Sequence, residues 1–291
     1  MIEFVIDDRE GQRLDNFLFQ IYKSTPNSHV YRMLRKGRIR VNGKVCRDNT
    51  YRLLAEDVLI IPTPVNDAKS INPSETLVEK VKSMIVDETE DYWLLNKHSG
   101  ICVHKSERDV FGVIEVMQYI YSDAHLVHRI DRNTSGCLLV AKSYKSLAML
   151  QAQWRERSVK KRYQLVVCGQ WQYGAVLQVD KPLLRLEKPN QGAKVVVSNK
   201  GKSAKTTFQL VTQYESHALL EAEIHTGRTH QIRVHAAEIG HPILGDGRYG
   251  QAKNAFFAGM FLHAKEVTLD SGIVLSCDLS DAHQKALKAL P

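Results

Sequence analysis

The sequence predicts a mixed α/β protein of the α+β kind, built as two unequal domains. Three observations lead there. Helical and strand periodicities alternate along the chain, a Pro-rich polar stretch interrupts them once, and basic residues crowd before that interruption. The 291 residues amount to about two domains, at ~150 residues each. With 43% hydrophobic and 25% charged residues, the composition excludes a disordered or collagen-like chain. The longest apolar runs, such as Val58 to Ile61, fall far short of the ~18–20 residues that span a bilayer, so no membrane association is expected. Met1 to Asp8 is acidic and lacks a long apolar core, so no secretory leader is expected and the expected location is cytoplasmic.

The small domain is expected at residues 1–61. Leu14, Phe17, Leu18 and Ile21 fall at helical spacing. Ser28 is placed to cap a second helix that turns Val30, Met33 and Leu34 inward and stops at Gly37. Ile39 and Val41 then alternate with Arg38 and Arg40, Asn42-Gly43 makes a two-residue hairpin turn, and Val58 to Ile61 supplies a last strand. Residues 62–73, with Pro62, Pro64 and Pro73, read as a linker. No comparable break follows, so 74–291 is expected to form one catalytic-sized domain.

Charge is concentrated in the small domain. Forty Lys and Arg stand against 32 Asp and Glu, a formal +8, which points to a polyanionic partner. Between His29 and Arg52 lie Arg32, Arg35, Lys36, Arg38, Arg40, Lys44, Arg47 and Arg52, against Asp48 alone. A single helix with such charges would read as a solvated face. Here they run from a helix into a tight hairpin, where they can converge on one side, which suits phosphate contact, since each neutralised phosphate releases counterions. Helix, helix and the turn Arg38-Ile-Arg-Val-Asn-Gly-Lys44 resemble the S4 RNA-binding domain.

Five cysteines, Cys46, Cys102, Cys137, Cys168 and Cys277, are odd in number and widely spaced, so they are read as buried free thiols rather than a disulfide or zinc framework. His225, His230 and His235 suggest a metal at first sight. Arg228 and Arg233 are interleaved with them and would repel a dication, so no metal is expected.

The chemistry-bearing motifs lie in the large domain. His128-Arg-Ile-Asp-Arg-Asn-Thr-Ser-Gly136 is a charged loop running into the apolar strand Cys137 to Ala141. A carboxylate at Asp131 flanked by Arg129 and Arg132 would be held ionised if either guanidinium lay within ~4–6 Å, and could act as nucleophile or base at a sugar carbon. Asp131 alone would more often be a turn residue, and Asn133, Thr134 and Ser135 suit bonding of the loop backbone. The second motif, Glu221 to His235, places Arg228 at a strand-to-helix corner, with His230 to Ile239 helical and Gly240 its end. Salt bridging is the plain alternative for its arginines. Lys160-Lys161-Arg162-Tyr163 is a basic entry into a strand, where Tyr163 would ordinarily be a core-edge residue. Leu94 to His104 reads as two short strands around a Gly turn. Gly245 to Gly250 and Leu262-His-Ala264 read as turn chemistry.

In this order and spacing, from about Met84 to Ala264, the five motifs resemble the RluA family of pseudouridine synthases. The S4-like unit, Gly169-Gln-Trp171 and the Gly201 to Phe208 stretch favour the RluC-like branch. The resemblance implies the pseudouridine synthase catalytic fold with a largely antiparallel sheet, action on large-subunit (23S) ribosomal RNA, and no cofactor. It also implies roles. Asp131 is the catalytic aspartate, Tyr163 contacts the target base and takes its C5 proton, and Arg228 is the ion-pair partner of Asp131. Arg129 enters the space vacated by the flipped nucleotide, while Lys161, His230 and Arg233 join the small-domain cations as RNA contacts. One departure is His98, where the family usually has Pro. A monomer without a required protein partner is expected. Two other classes compete: an RNA-binding protein without chemistry, disfavoured by the presence of Asp131 and Tyr163, and a hydrolase using His128, His230 or His235 as base.

Overall fold

The computed structural model describes residues 1–7, 9–22, 25–64, 71–106, 109–187, 194–250 and 257–291. The first elements are β1 (Ile2–Val5), α1 (Leu14–Ile21), α2 (Asn27–Arg35), β2 (Arg40–Val41), β3 (Lys44–Val45) and β4 (Val58–Ile61). The strands form one sheet in the order β1-β4-β2-β3. Both helices present their apolar stripe to a common core: Leu14, Phe17 and Leu18 from α1, and Val30, Met33 and Leu34 from α2, are buried with Ile39 and Leu59. Ile21 is only partly buried and packs at the edge. The hairpin turn is real, with Asn42 at φ 50° and Gly43 at φ 75°, the left-handed pair that two-residue hairpins require.

One local expectation needs correction, and one strand was not expected. Helix α2 begins at Asn27, after Pro26, so Ser28 lies inside its first turn and is not the cap. Strand β1 alternates, with Ile2 and Phe4 turned inward and Glu3 and Val5 outward, and pairs antiparallel with β4. The centre of the expected linker, residues 65–70, lies outside the described residues.

The remaining elements are α3 (Glu75–Lys82), β5 (Ile85–Glu88), β6 (Tyr92–Lys97), α4 (Val113–Ile120), β7 (His125–Leu126), β8 (Ser135–Ala141) and α5 (Tyr144–Glu156). They continue with β9 (Lys160–Cys168), β10 (Val176–Asp180), β11 (Leu183–Leu186), β12 (Lys194–Val197), β13 (Lys205–Gln213) and β14 (His217–Ile224). Helix α6 (Gln231–Glu238), β15 (Leu262–Thr268), β16 (Val274–Ser276) and α7 (Asp281–Ala289) complete the set. Ten strands form one sheet along β10-β13-β14-β9-β15-β8-β6-β5, with β16 on β15 and β7 on β8. Among the described residues only β15 with β8 is parallel, so the sheet is largely antiparallel. Leu94 to His104 contributes one strand rather than two, because residues 101–106 pair with no strand.

The middle of this sheet positions the chemistry. Strand β8 is buried at all seven positions, which explains its uninterrupted apolar run. At the β8–β15 seam Gly136 pairs with Ala264. It has φ +103°, and a Cβ there would lie 2.2 Å from the Ala264 carbonyl oxygen. Only glycine permits both that backbone and that approach. The loop before β8 and the first residues of β9 are thereby held on either side of β15.

Candidate active site

Asp131 stands in the loop that enters β8, and its side chain is 27% exposed. Its loop is clamped from below. Lys97, fully buried at the end of β6, donates from Nζ to the carbonyls of His98 (2.9 Å), Ile101 (2.9 Å) and Arg132 (3.0 Å). The Gly100 amide also donates to the Arg132 carbonyl, at 2.9 Å, and Ser99 Oγ to that of Asn133, at 2.9 Å. Burial pushes the Lys97 ammonium down to about 7, against a smaller upward pull from Asp131. Ser135 turns inward, 2.9 Å from His263 Nδ1.

The basic side chains nearest Asp131 are not its sequence neighbours. Arg132 turns away, donating to the Gly100 carbonyl (2.9 Å) and to Asp109 (2.5 Å). Arg233 Nη1 lies 3.6 Å and His230 Nε2 3.9 Å from Asp131 Oδ2. Arg233 is 7% exposed and also holds Asp246 through two bonds of 2.8 Å. Burial opposes its charge, but Asp246 and then Asp131 raise its pKa above the ordinary arginine value. The expected Asp131–Arg228 ion pair is absent: Arg228 borders the same cavity but donates from Nε to the Ser203 carbonyl, at 3.0 Å. Arg233, expected to contact RNA, borders both cavities beside Asp131 and bridges two carboxylates, Asp131 and Asp246.

The corner before α6 explains this arrangement. Gln231 is buried and donates to the Lys205 carbonyl and to Thr206, at 2.9 and 3.0 Å. It accepts from Thr226 and from the Arg228 amide, at 2.7 and 3.1 Å. These bonds tie residues 226–231 to β13. His230 adopts φ 54° at the helix start, which aims its ring at Asp131.

Two adjoining cavities share Asp131. One, of about 360 Å³, is bordered by Tyr163, Arg185, Arg228 and Leu262. The other, of about 620 Å³, is bordered by His104, Lys105, Asn133 and Arg248. Arg129 lines both, is exposed, and forms no ion pair with the described residues. Tyr163 on β9 faces Ala264 across β15 and Ala222 across β14. Burial, and then the charge of Asp131, push its phenol far above the ordinary tyrosine value, so the hydroxyl rests protonated. Lys161 borders neither cavity; it is half-buried, and burial with the nearby Arg157 charge lowers its pKa.

His128, His225 and His235 do not converge on this site. His128 accepts the Leu139 amide at Nε2 (3.2 Å) and stacks on Trp154, and burial pushes it down to about 3. His235 is buried between Thr206 and the Lys181 carbonyl, each at 2.9 Å. His225 meets Thr207 at 2.9 Å. Of the three candidate hydrolase bases, only His230 reaches the cavity. Of the thiols, Cys137 and Cys277 are buried, while Cys46, Cys102 and Cys168 are only partly so.

In the first unit, Arg32, Arg35, Lys36, Arg38, Arg40 and Lys44 are all exposed. None is paired with a carboxylate among the described residues. His29, Arg32, Met33, Lys36 and Arg38 border a cavity of about 180 Å³. Arg35 and Arg47 border another, of about 470 Å³, with Tyr31 and Asn49.

An aspartate in a basic cavity that a buried, protonated tyrosine also borders has close parallels. A family model described as RNA pseudouridylate synthase matches residues 91–238, and one described as the S4 domain matches residues 12–59. The chain belongs to the RNA pseudouridylate synthase family. It is 41% identical over 274 residues to the ribosomal large subunit pseudouridine synthase C of Vibrio parahaemolyticus, covering 90% of this chain and 85% of that one. To the Escherichia coli protein of the same name it is 42% identical over 250 residues, covering 84% and 77%. The solved structure of human RNA pseudouridylate synthase domain containing 4 shares the fold, with TM-score 0.60 and 24% identity, covering 73% of this chain and 95% of that one.

Proposed function

We propose that the protein converts specific uridines of large-subunit (23S) ribosomal RNA to pseudouridine, with Asp131 acting on the ribose of a flipped-out uridine. The observation that carries this reading is the placement of Asp131 at the junction of two basic cavities, between Arg233, His230 and the wall containing Tyr163. The reaction breaks the N1–C1′ bond, turns the uracil and rejoins it through C5. It has no net redox change, so no cofactor enters the scheme. Asp131 begins it by attacking C1′ or by taking the C2′ proton. Extruding the nucleotide costs a few kcal/mol, and Arg129, exposed and without an ion-pair partner among the described residues, fills the gap and offsets part of that cost.

Tyr163 supplies a flat wall against which the detached uracil stays stacked, and a hydroxyl that moves the C5 proton. Because the phenol rests protonated, it takes the C5 proton only as its own O–H proton leaves for an acceptor, and Asp131, which borders the same cavity and is freed as a carboxylate once C5 has joined C1′, receives it. Tyr163→Phe is expected to bind RNA normally and to lose the proton step. Tritium release from C5-labelled uridine checks this, and undiminished release rules the role out.

Residues 1–61 form the RNA-placing unit in this reading and 74–291 the catalytic one, working as a cytoplasmic monomer. Neutralising Arg35, Lys36 and Arg38 together is expected to weaken RNA binding across sequences. If each makes one contact, the salt dependence flattens by about 0.7–0.9 log units per lost contact. Single-turnover rates against RNA concentration separate binding from chemistry. The half-saturation point should rise while the plateau rate holds; a collapsed plateau at unchanged half-saturation would give the small unit a part in catalysis.

Incubating the purified protein with large-subunit RNA transcript tests the whole reading. Isomerisation leaves the RNA mass constant while creating pseudouridine, whereas base release or strand cleavage changes the mass.

A further inference from the structure

Tyr249 lies in the turn after Asp246, outside every role described so far, yet it touches both Arg233 and His230, the side chains that flank Asp131. Its hydroxyl is 2.8 Å from His230 Nδ1. It also accepts the backbone N–H of Val195, on β12, at 3.2 Å. The Arg233 guanidinium sits over its ring at 5.1 Å from the centroid, and the His230 ring meets it edge-on at 5.6 Å. The turn itself is anchored by Asp246, whose Oδ1 accepts the amides of Arg248 and Tyr249 at 3.0 and 3.3 Å.

The Tyr249–Nδ1 contact by itself admits either tautomer, and the charge of Asp131 at the far nitrogen selects between them. Val195 N–H is a donor only, so it occupies one lone pair of the Tyr249 oxygen. At its other nitrogen, His230 faces the Asp131 carboxylate at 3.9 Å, beyond hydrogen-bond reach, where the negative charge favours a proton on the near nitrogen. A neutral imidazole carries one proton. With that proton on Nε2, toward Asp131, Nδ1 is left as an acceptor, and the Tyr249 O–H fills it.

We propose that Tyr249 is a positioning residue: it fixes His230 as the Nε2–H tautomer and so keeps a neutral donor aimed at Asp131. This rests on the reading of Asp131 as the catalytic carboxylate. The hydroxyl also ties that donor to the β11–β12 hairpin, whose Arg185 borders the Asp131 cavity. The charges around His230 are Asp131 and Arg129 from the loop before β8, Arg228 and Arg233 from its own corner and helix, and Asp246 and Arg248 from the turn. Burial lowers its pKa first, Asp131 opposes, and Arg233 and Arg248 add to the lowering.

The test is Tyr249→Phe in the full chain, which keeps the ring against Arg233 and removes only the hydroxyl. Two readouts are needed: the ¹⁵N shifts of the His230 ring, and the pH profile of single-turnover pseudouridine formation. In the parent, the shifts should show a protonated Nε2 and a bare, hydrogen-bonded Nδ1. In the variant, Nδ1 should lose that bond and the neutral imidazole its support. The acid limb of the rate profile should then move to higher pH, with the plateau falling about tenfold, the rate equivalent of one net hydrogen bond, at unchanged half-saturation by RNA. A parent His230 protonated on Nδ1 overturns the proposal without any variant. So does a Tyr249→Phe protein whose ¹⁵N shifts and pH profile match the parent's. Failure of the Asp131 reading looks different: the tautomer would stand in the ¹⁵N spectrum while Asp131→Asn still turned over.

Discussion

Asp131→Asn is expected to lower the single-turnover rate of pseudouridine formation by about 10⁴-fold or more, the scale of losing a catalytic nucleophile or base. Binding of large-subunit RNA should be nearly unchanged. The side chain keeps its shape and one carbonyl oxygen for Arg233 and His230, but it can no longer attack a sugar carbon or accept a proton. The fold should tolerate the change. Asp131 is partly exposed, and its nearest cation is 3.6 Å away. Arg233 also retains two 2.8 Å bonds to Asp246. The stability cost is therefore expected within about 1 kcal/mol, as for other solvent-reached ion pairs. Denaturant unfolding, filter binding and single-turnover assay on one preparation separate the three quantities. A rate near the parent's would remove Asp131 from the chemistry.

Asp246→Ala is the second large effect, and it should strike stability and activity together. The Asp246 side chain is fully buried and faces a guanidinium that is itself almost fully buried. Removing one partner of such a pair leaves an uncompensated buried charge, a loss of about 3–5 kcal/mol. The Arg248 and Tyr249 amides also lose their acceptor. Arg233 would then have Asp131 as its nearest carboxylate, and a tighter pair there would blunt the catalytic oxygen. Denaturant midpoint and single-turnover rate at saturating RNA check the two halves. Replacement that costs neither would contradict the bridging role. The pH dependence follows from the same pair. Burial alone would raise the Asp246 carboxyl, but the bonds and charge of Arg233 hold it below its ordinary 3.8. A depressed carboxylate stabilises the fold fully above the unfolded value and loses that contribution as pH falls through the folded one. The parent should lose the Asp246 contribution only below about pH 3.8, and Asp246→Ala should lack that part of the acid transition.

Much of this site was legible before any coordinates. The loop around Asp131 stands out because seven charged or hydrogen-bonding residues run directly into an apolar strand, and that contrast survives folding as a cavity floor on a buried strand. The two small helices and the Asn42-Gly43 turn were equally readable, since each depends on local period and local φ. What the sequence withheld was direction. Arg228 and Arg233 sit five residues apart in one motif, and nothing in their spacing says which turns toward Asp131. Gln231 decides it by tying the corner to β13, a contact from 25 to 26 residues away. Asp246 and Tyr249 looked like ordinary turn residues because their partners lie on α6 and β12. Lys97 stood in plain view in its motif, but three carbonyls closing around an ammonium leave no side-chain pattern to read. Strand β1 was missed for the same reason: its pairing with β4 is non-local.

The measurement that bears most directly on the central claim is pseudouridine mapping of large-subunit ribosomal RNA in three strains. One lacks the gene, one is complemented with the parent, and one is complemented with Asp131→Asn at matched protein level. The account predicts that particular pseudouridines vanish on deletion, return with the parent and stay absent with the variant, while the variant still binds that RNA. A map unchanged by deletion, or restored equally by Asp131→Asn, would contradict it.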